Sequence, residues 1–456
     1  MILLLACTAA PDPEPRSHLR IPELAAPGEP GRTLLLFTID TLNEDYIGPD
    51  TRFDSSPELN RFFEESVVFE NTVVPRGVTV ISLPSLHTGT YPRTHEVRDQ
   101  SLPPGMPATI NELLRAEGWA TFGYSSNMCH LLDQEWTGQL CSDPSLSDVK
   151  GGDIHRDQAV IDAFADDLER LPPERDAFFW LHLRDPHADY TPRDPWFSEW
   201  YEGTYTQEHA AKSEQVSGYT LGDPVPDGFQ EWLETVYASQ VRSSDEMFGE
   251  VRSMLEDAER WDVVVTGTDH GEELNAHHGY YLHGCSMYNE VLNTTYSVLA
   301  PGYEARNIAT HVSSTDFLPT MLEVLELEPS PDAEGRSLVG YMAGEEPDAI
   351  DVFFERGPES AGVVRGDRKY WFFTGDKYMN CRPFQDVQGS WYEGPSEALF
   401  ELAEDPAELL NLIGDEPKPP EKEAVCEWVT GEVWIDEESD PTISLVQRCH
   451  DYLDRL

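Results

Sequence analysis

The chain has 456 residues, enough for one large α/β domain with an appendage or for two or three smaller domains. Its apolar content of 39%, with 11 Trp, 18 Tyr and 19 Phe, supports a substantial core and argues against disorder of the whole chain. A formal net charge of −54, from 85 acidic against 31 basic residues, repels nucleic acid and anionic membrane surfaces. It repels anionic substrates too, so phosphate or sulfate chemistry here requires a locally positive pocket. The acid excess fits either adaptation to high ionic strength, where salt screens self-repulsion, or a merely acidic soluble surface.

The chain begins "MILLLACTAAPDPEP", a stretch too short to span a bilayer and without the basic start of a secretory signal. Leu4-Leu5-Ala6-Cys7 resembles a bacterial lipobox, in which the Cys becomes lipidated, and a Pro- and acid-rich tether follows to about Arg32. That reading predicts an envelope protein facing the periplasm or the exterior, touching the membrane only through a lipid on Cys7. Cys129, Cys141, Cys285, Cys381, Cys426 and Cys449 would then meet an oxidising compartment. Among the pairings open to six Cys, Cys129–Cys141 and Cys426–Cys449 are favoured because each pair is close in sequence. No CxxC pair is present, which argues against a thiolate zinc site.

"TLLLFTID" (33–40) is a continuous apolar run ending in an acid, the pattern of a buried parallel strand that delivers a carboxylate to the edge of a sheet. "SPELNRFFEES" then predicts a helix, "VVFENTVV" a strand, "TINELLRAEG" a helix and "WATFGYSS" a strand. "DQAVIDAFADDLERL" is an amphipathic helical pattern, "AFFWLHLR" (177–184) a second buried strand, 228–259 a long helix and "DVVVTG" (262–267) a strand. This alternation predicts an α/β fold with a mainly parallel sheet. After about residue 345 the texture changes: "DVFFERG" and "AGVVRGDRKYWFFTG" read as hairpin strands, and a Cys-bearing helix closes the chain. The expected organisation is therefore a signal-like segment and tether (1–32), a catalytic domain (33–345) and a small C-terminal α+β subdomain (346–456).

Three strand ends carry the chemistry. Asp40 closes the first strand. "LHLRDPHADY" (181–190) supplies His182, Asp185, His187 and Asp189, and "TGTDHGEELNAHHGYYLHG" (266–284) supplies Asp269, His270, Glu272, Glu273, His277, His278 and His283. Parallel-sheet geometry gathers such ends on one edge, where ligands bind. Carboxylates with imidazoles and no thiolate suit a hard or borderline divalent cation. Each residue alone also has a plainer role, an acid as a helix N-cap or a His on the surface.

"LLLFTIDTLNEDYIG", "VTVISLPSLHTGTYPRTHEVRD", "FFWLHLRDPHADY", "TGTDHGEELNAHHG", "HGCSMYNEVL", "DFLPTMLEVL" and "ALFELAEDPAELLNL" follow one another over residues 33–412. In order and spacing they resemble the sulfatase family of the alkaline phosphatase superfamily. The resemblance implies an alkaline-phosphatase-like sandwich: a large mainly parallel sheet between helices, with a small C-terminal α+β subdomain. It also implies one divalent metal ion (Mn, Zn, Ca or Mg) and an anionic sulfate or phosphate ester as substrate, a glycan or lipid head group included. By position, Asp40, Asp269 and His270 match metal ligands, and His187 and His283 match residues that contact the ester's anionic group. Thr41 stands where the family usually has a second acid, which thins the metal shell.

The family's nucleophile stands ten residues before the Gly of a "TG" pair, and counting back from Gly89 in "RGVTVISLPSLHTG" (76–89) reaches Thr79. A rival reading of "SLPS" (82–85) makes it Ser82, nearly one helical turn further on and off the metal face. Thr cannot be oxidised to the aldehyde that sulfatases form from Cys or Ser, and Leu83 replaces the activating Arg of their motif. An unmodified Thr79 must act through its hydroxyl, acidified by the cation and the helix N-terminus. That chemistry favours phosphoesters, because a phospho-threonine can be turned over by water or by an acceptor hydroxyl. The alternatives are an arylsulfatase-like sulfuric ester hydrolase and a non-catalytic relative that binds anionic glycans or lipids. Arg76, His95, Arg98 and Asn127 are further polar residues near the pocket, Glu272 and Glu273 are candidates to orient His residues, and Cys285 reads as a packing residue.

Overall fold

A computed structural model describes residues 31–142, 153–206, 211–220, 223–277, 281–284, 286–346, 348–356, 360–373, 396–414, 419–431 and 445–453. The lipobox at Cys7, and likewise His278, Cys285 and Cys381, lie outside the described residues. The strands are β1 (Thr33–Ile39), β2 (Val67–Val73), β3 (Ala120–Ser125), β4 (Gly138–Cys141), β5 (Ala177–Leu183), β6 (Val263–Thr268), β7 (Asn293–Leu299), β8 (Arg306–Ile308), β9 (Val312–Ser313), β10 (Asp351–Glu355), β11 (Ser360–Arg365), β12 (Arg368–Phe373) and β13 (Ser396–Glu401).

The large sheet runs β4-β3-β5-β1-β6-β7-β2-β8, with β9 also paired to β2. Every adjacent pair is parallel except the two made by β7, with β6 and with β2. β1 is buried along its whole length because it is central and both its faces are covered. Leu35, Phe37 and Ile39 join Phe179, Val160, Phe164, Val236 and Phe248 on one face. Leu34 and Leu36 join Phe178, Trp180, Leu86, Ile110, Leu114 and Phe317 on the other. The two-residue period of the strand thus fills two cores, and the sandwich follows. The long helix Phe229–Asp257 closes the first face.

The second sheet, β10-β11-β12-β13, is antiparallel throughout. Val352, Phe354, Val364, Trp371 and Phe373 pack against Val73, Val74, Met287, Val291 and Leu292 of the larger unit. Ala361, Val363, Tyr370 and Leu399 face the helices Pro420–Gly431 and Leu445–Leu453 through Val425, Cys426, Val429 and Cys449. Disulfides join Cys129 to Cys141 and Cys426 to Cys449, the two pairs expected from proximity. Among the described residues no helix is long and apolar enough to cross a membrane.

Candidate active site

Register places the chemistry. In the parallel β5-β1-β6 core, Thr38 pairs with His182 and Ile39 with Thr268, so Asp40 and Asp269 each fall one residue past the carboxyl end of adjacent strands. Ser125 of β3 pairs with His182, which brings the turn carrying Asn127 to the same edge. Asp40, His182 and Asp269, all buried, offer ligand atoms within 4.8 Å of one another. His182 belongs to the group of strand-end residues read from sequence as suiting a cation, but it was not assigned there as a ligand alongside Asp40, Asp269 and His270. It lies inside an apolar strand, where a histidine reads as core.

Three features hold these groups. Thr41 turns the chain sharply after Asp40 with φ 55°, a left-handed conformation that costs a β-branched residue strain. Tyr237, from the long helix, clamps that turn by donating to the Thr41 carbonyl and accepting from Asn43 N at 2.8 Å. The Thr41 N–H itself donates to Asp269 Oδ1 at 3.1 Å, so the residue that replaces the second acid orients the other strand's acid through its backbone. The Asn127 amide donates to Asp40 Oδ2.

The imidazole tautomers follow from their partners. His182 Nδ1 lies 2.9 Å from the Thr38 hydroxyl, which itself reaches the Leu181 carbonyl at 3.3 Å. With the Thr38 proton on the Leu181 carbonyl, Nδ1 donates, and the buried Nε2, without a hydrogen-bond partner, faces Asp40 Oδ2 at 3.8 Å. His270 Nδ1 donates to the Gly271 carbonyl at 2.9 Å, leaving Nε2 free to face Asp269 Oδ2 at 3.4 Å and the Thr79 hydroxyl at 3.2 Å. Asp269 Oδ2 is likewise buried without a hydrogen-bond partner. Burial, and then the charge of Asp269, push Asp40 well above the usual carboxylate range. Two mutually repelling acids and two imidazole nitrogens with their lone pairs turned inward suit a divalent cation, which would reverse both costs.

Thr79 is the first residue of the helix Thr79–Thr88 rather than its cap; the cap position is Val78, in extended conformation and without a side-chain cap bond. The Thr79 hydroxyl is 3.3 Å from Asp40 Oδ1. Ser82, the rival, donates its hydroxyl to the Val78 carbonyl at 3.0 Å, inside its own helix. Gly89 ends the helix in a left-handed conformation, φ 66°, which anchors the motif's distal end.

His187 and His283 stand together beside His270: the His270 and His283 ring centroids are 4.4 Å apart and those of His187 and His283 are 5.1 Å apart. Burial and the adjacent Arg184 hold His187 well below its ordinary pKa. Burial alone would lower His283 too, but the Glu272 carboxylate, 3.0 Å from its Nδ1, raises it. Glu272 also accepts from Tyr190 at 3.0 Å. The remaining polar residues serve the frame. Arg193 donates to Asp185 from Nε at 2.5 Å and from Nη2 at 2.7 Å, and Lys212 reaches Asp189 at 3.4 Å. His95 is engaged by Ser85 at 3.0 Å and by Val97 N at 3.1 Å, while Arg98 donates to the Pro92 carbonyl at 2.6 Å.

Residues 32–327 match the family model described as Sulfatase, and the chain belongs to that family. Mouse arylsulfatase K is 27% identical over 194 residues, 41% of this chain and 33% of that protein. The multifunctional alkaline phosphatase superfamily protein PehA of Trinickia caryophylli is 26% identical over 216 residues, 44% of this chain and 39% of its own length. The chain thus matches little more than a third of the length of these curated relatives. Among solved structures, BT4656 in complex with D-glucosamine-2-N,6-O-disulfate superposes with TM-score 0.67 at 15% identity, over 88% of this chain and 97% of that one. The phosphonate monoester hydrolase of Agrobacterium radiobacter gives 0.64 at 16% identity, over 85% and 92%. At those identities the likeness establishes the alkaline-phosphatase-like sandwich fold.

Proposed function

We propose that the chain is a metal-dependent hydrolase or transferase of anionic esters, with phosphate or phosphonate esters favoured over sulfate esters, acting through a covalent Thr79 intermediate. The observation that carries this reading is the position of the Thr79 hydroxyl, between Asp40 Oδ1 and His270 Nε2 at the start of a helix, while Ser82 is spent on a backbone carbonyl. Asp40, His182, Asp269 and His270 would hold the cation, which supplies Lewis acidity when bound. Thr79 gives its proton to Asp40 Oδ1, attacks phosphorus and displaces the leaving-group oxygen. Water or an acceptor hydroxyl then takes the phosphoryl group from Thr79. His283, whose protonated form the Glu272 carboxylate favours, and His187 receive the ester's anionic oxygens, and the charge on His283 is opposite to that of the acidic surface.

A second reading has support from the relatives' names: a sulfuric ester hydrolase, as arylsulfatase K is called. Thr79 counts against it, because no aldehyde hydrate can form there to expel sulfate. Turnover of matched aryl phosphate, phosphonate and sulfate esters tests the choice, and a strong preference for the sulfate would overturn the phosphoryl reading. Sulfated or phosphorylated glycans and lipid head groups are the natural substrate classes for a protein held at the envelope by a lipid on Cys7. Mass spectrometry of membrane-extracted protein tests that anchor, and an unmodified Met1 would refute it.

A further inference from the structure

A second group of ligand-type side chains lies away from Thr79, where the loop after β6 meets the C-terminal sheet. Gly271 makes the contact possible: its N–H donates to the Val291 carbonyl at 2.9 Å, and a Cβ there would sit 2.1 Å from the Glu290 carbonyl oxygen. The close approach brings Glu273 and His277 of that loop against Glu290. Their ligand atoms lie within 4.8 Å of one another, with Glu273 and His277 fully buried and Glu290 partly so.

His277 and Glu273 are each oriented by a partner that leaves one atom free. His277 Nε2 is 3.0 Å from the Ala407 carbonyl, so it carries the proton and donates. The ring is stacked on Tyr288, centroids 3.7 Å apart. Ser286 donates to Glu273 Oε1, which turns Oε2 inward. What remains is His277 Nδ1, 3.5 Å from Glu273 Oε2 and 3.3 Å from Glu290 Oε2, and none of the three atoms has an ordinary hydrogen-bond partner. A lone pair facing two carboxylates is repulsive, so a proton or a metal ion must sit among them.

The charge around this point favours the ion. Glu290 interacts electrostatically with Glu44, Asp45, Glu273 and Glu408, of which Glu273 and Glu408 are buried, Glu44 half-buried and Asp45 exposed. The cations that interact with them there are Lys369, 2.9 Å from Glu408, and His277, which against burial Glu273 and Glu290 push up to about 10, so a metal ion must displace that proton. Among these groups carboxylates outnumber cations, and burial followed by the charge of Asp45 forces Glu44 up to about 8.

We infer that Glu273 Oε2, His277 Nδ1 and Glu290 Oε2 bind a divalent cation of the Mn or Zn type, separate from the one at Asp40 and Asp269. Two carboxylate oxygens and one imidazole nitrogen suit those borderline metals. Binding displaces the Nδ1 proton to solvent, and the carboxylate oxygens replace their repulsion with metal bonds. Through His277 and Ala407 the ion ties the loop that carries Asp269 and His270 to the C-terminal segment.

The test is metal content by mass spectrometry after loading with Mn2+ and desalting. The expected counts are two ions in the wild-type chain, one in Asp269→Asn, one in Glu290→Gln and none in the double variant. A Glu290→Gln count equal to wild type, or a double variant equal to Asp269→Asn, would overturn the inference. If Asp269→Asn alone matched wild type, the active-site cation would fall instead, and the Glu290→Gln step would still measure this one. Thermal unfolding of Asp269→Asn keeps the test independent of whether the Glu290 variant folds. Saturating Mn2+ should raise its midpoint, and no rise would also overturn the inference.

Discussion

The Thr79 hydroxyl lies 3.2 Å from His270 Nε2, and the Gly271 carbonyl holds the other ring nitrogen as a donor at 2.9 Å. The pairing therefore presents a lone pair, not a proton, to the proposed nucleophile. His182 shows the same arrangement on β5, on the far side of β1, with Thr38 against Nδ1 and Nε2 turned to Asp40. Two strands thus deliver imidazoles whose free nitrogens converge on the acids.

His182→Gln should therefore weaken cation binding about 10- to 100-fold and lower kcat in proportion at limiting metal. Calorimetric titration of metal-stripped protein measures it. Unchanged affinity would return His182 to the role of a core histidine.

Much of this was legible in the sequence, and the omissions have physical causes. The apolar run 33–40 and "DVVVTG" identified central strands because a buried parallel strand is apolar on both faces, and the acid after each marked the functional edge. The count from Gly89 to Thr79 reached a residue that does contact Asp40 and His270. His182 was gathered with the other strand-end residues but given no ligand role, because its neighbours, Trp180 and Leu181, are core residues, and a ligand set inside a strand leaves no break in that pattern. β4, β8 and β9 were missed as short strands, and β7 because "NTTYSVL" mixes polar with apolar residues at an antiparallel position. No sequence pattern could show that Asp185 is consumed by Arg193, since that pairing depends on how the chain folds back after β5.

Glu272→Gln removes the charge that raises His283 against burial. With a lower pKa, His283 loses its proton at lower pH, so the rise of KM for an anionic ester on the alkaline side should begin at lower pH than in wild type. A KM–pH profile that does not move would dissociate His283 from ester binding.

Glu44 is pushed up to about 8 by burial first and by Asp45 next, although Asn293 donates to it at 2.9 Å. Its folded pKa exceeds the unfolded value, so its contribution is present below the unfolded pKa and is lost as pH rises through about 8. A shift of that size corresponds to roughly 5 kcal/mol at most. Glu44→Gln keeps the acceptor without the charge, so its unfolding midpoint should change less than that of wild type between about pH 5 and pH 9. Parallel pH profiles for the two proteins would show that Glu44 is solvated.

The account rests on Thr79 as the attacking group, and trapping the covalent intermediate tests that directly. Enzyme mixed with an aryl phosphate, quenched in acid and digested should yield the peptide containing "RGVTVISLPSLHTG" with one phosphoryl group on Thr79. Thr79→Ala should show no adduct and lose at least about a thousandfold in kcat, Thr79→Ser should keep appreciable activity, and Ser82→Ala should behave much as wild type. A phosphoryl group found on Ser82, or a fully active Thr79→Ala protein, would contradict the account.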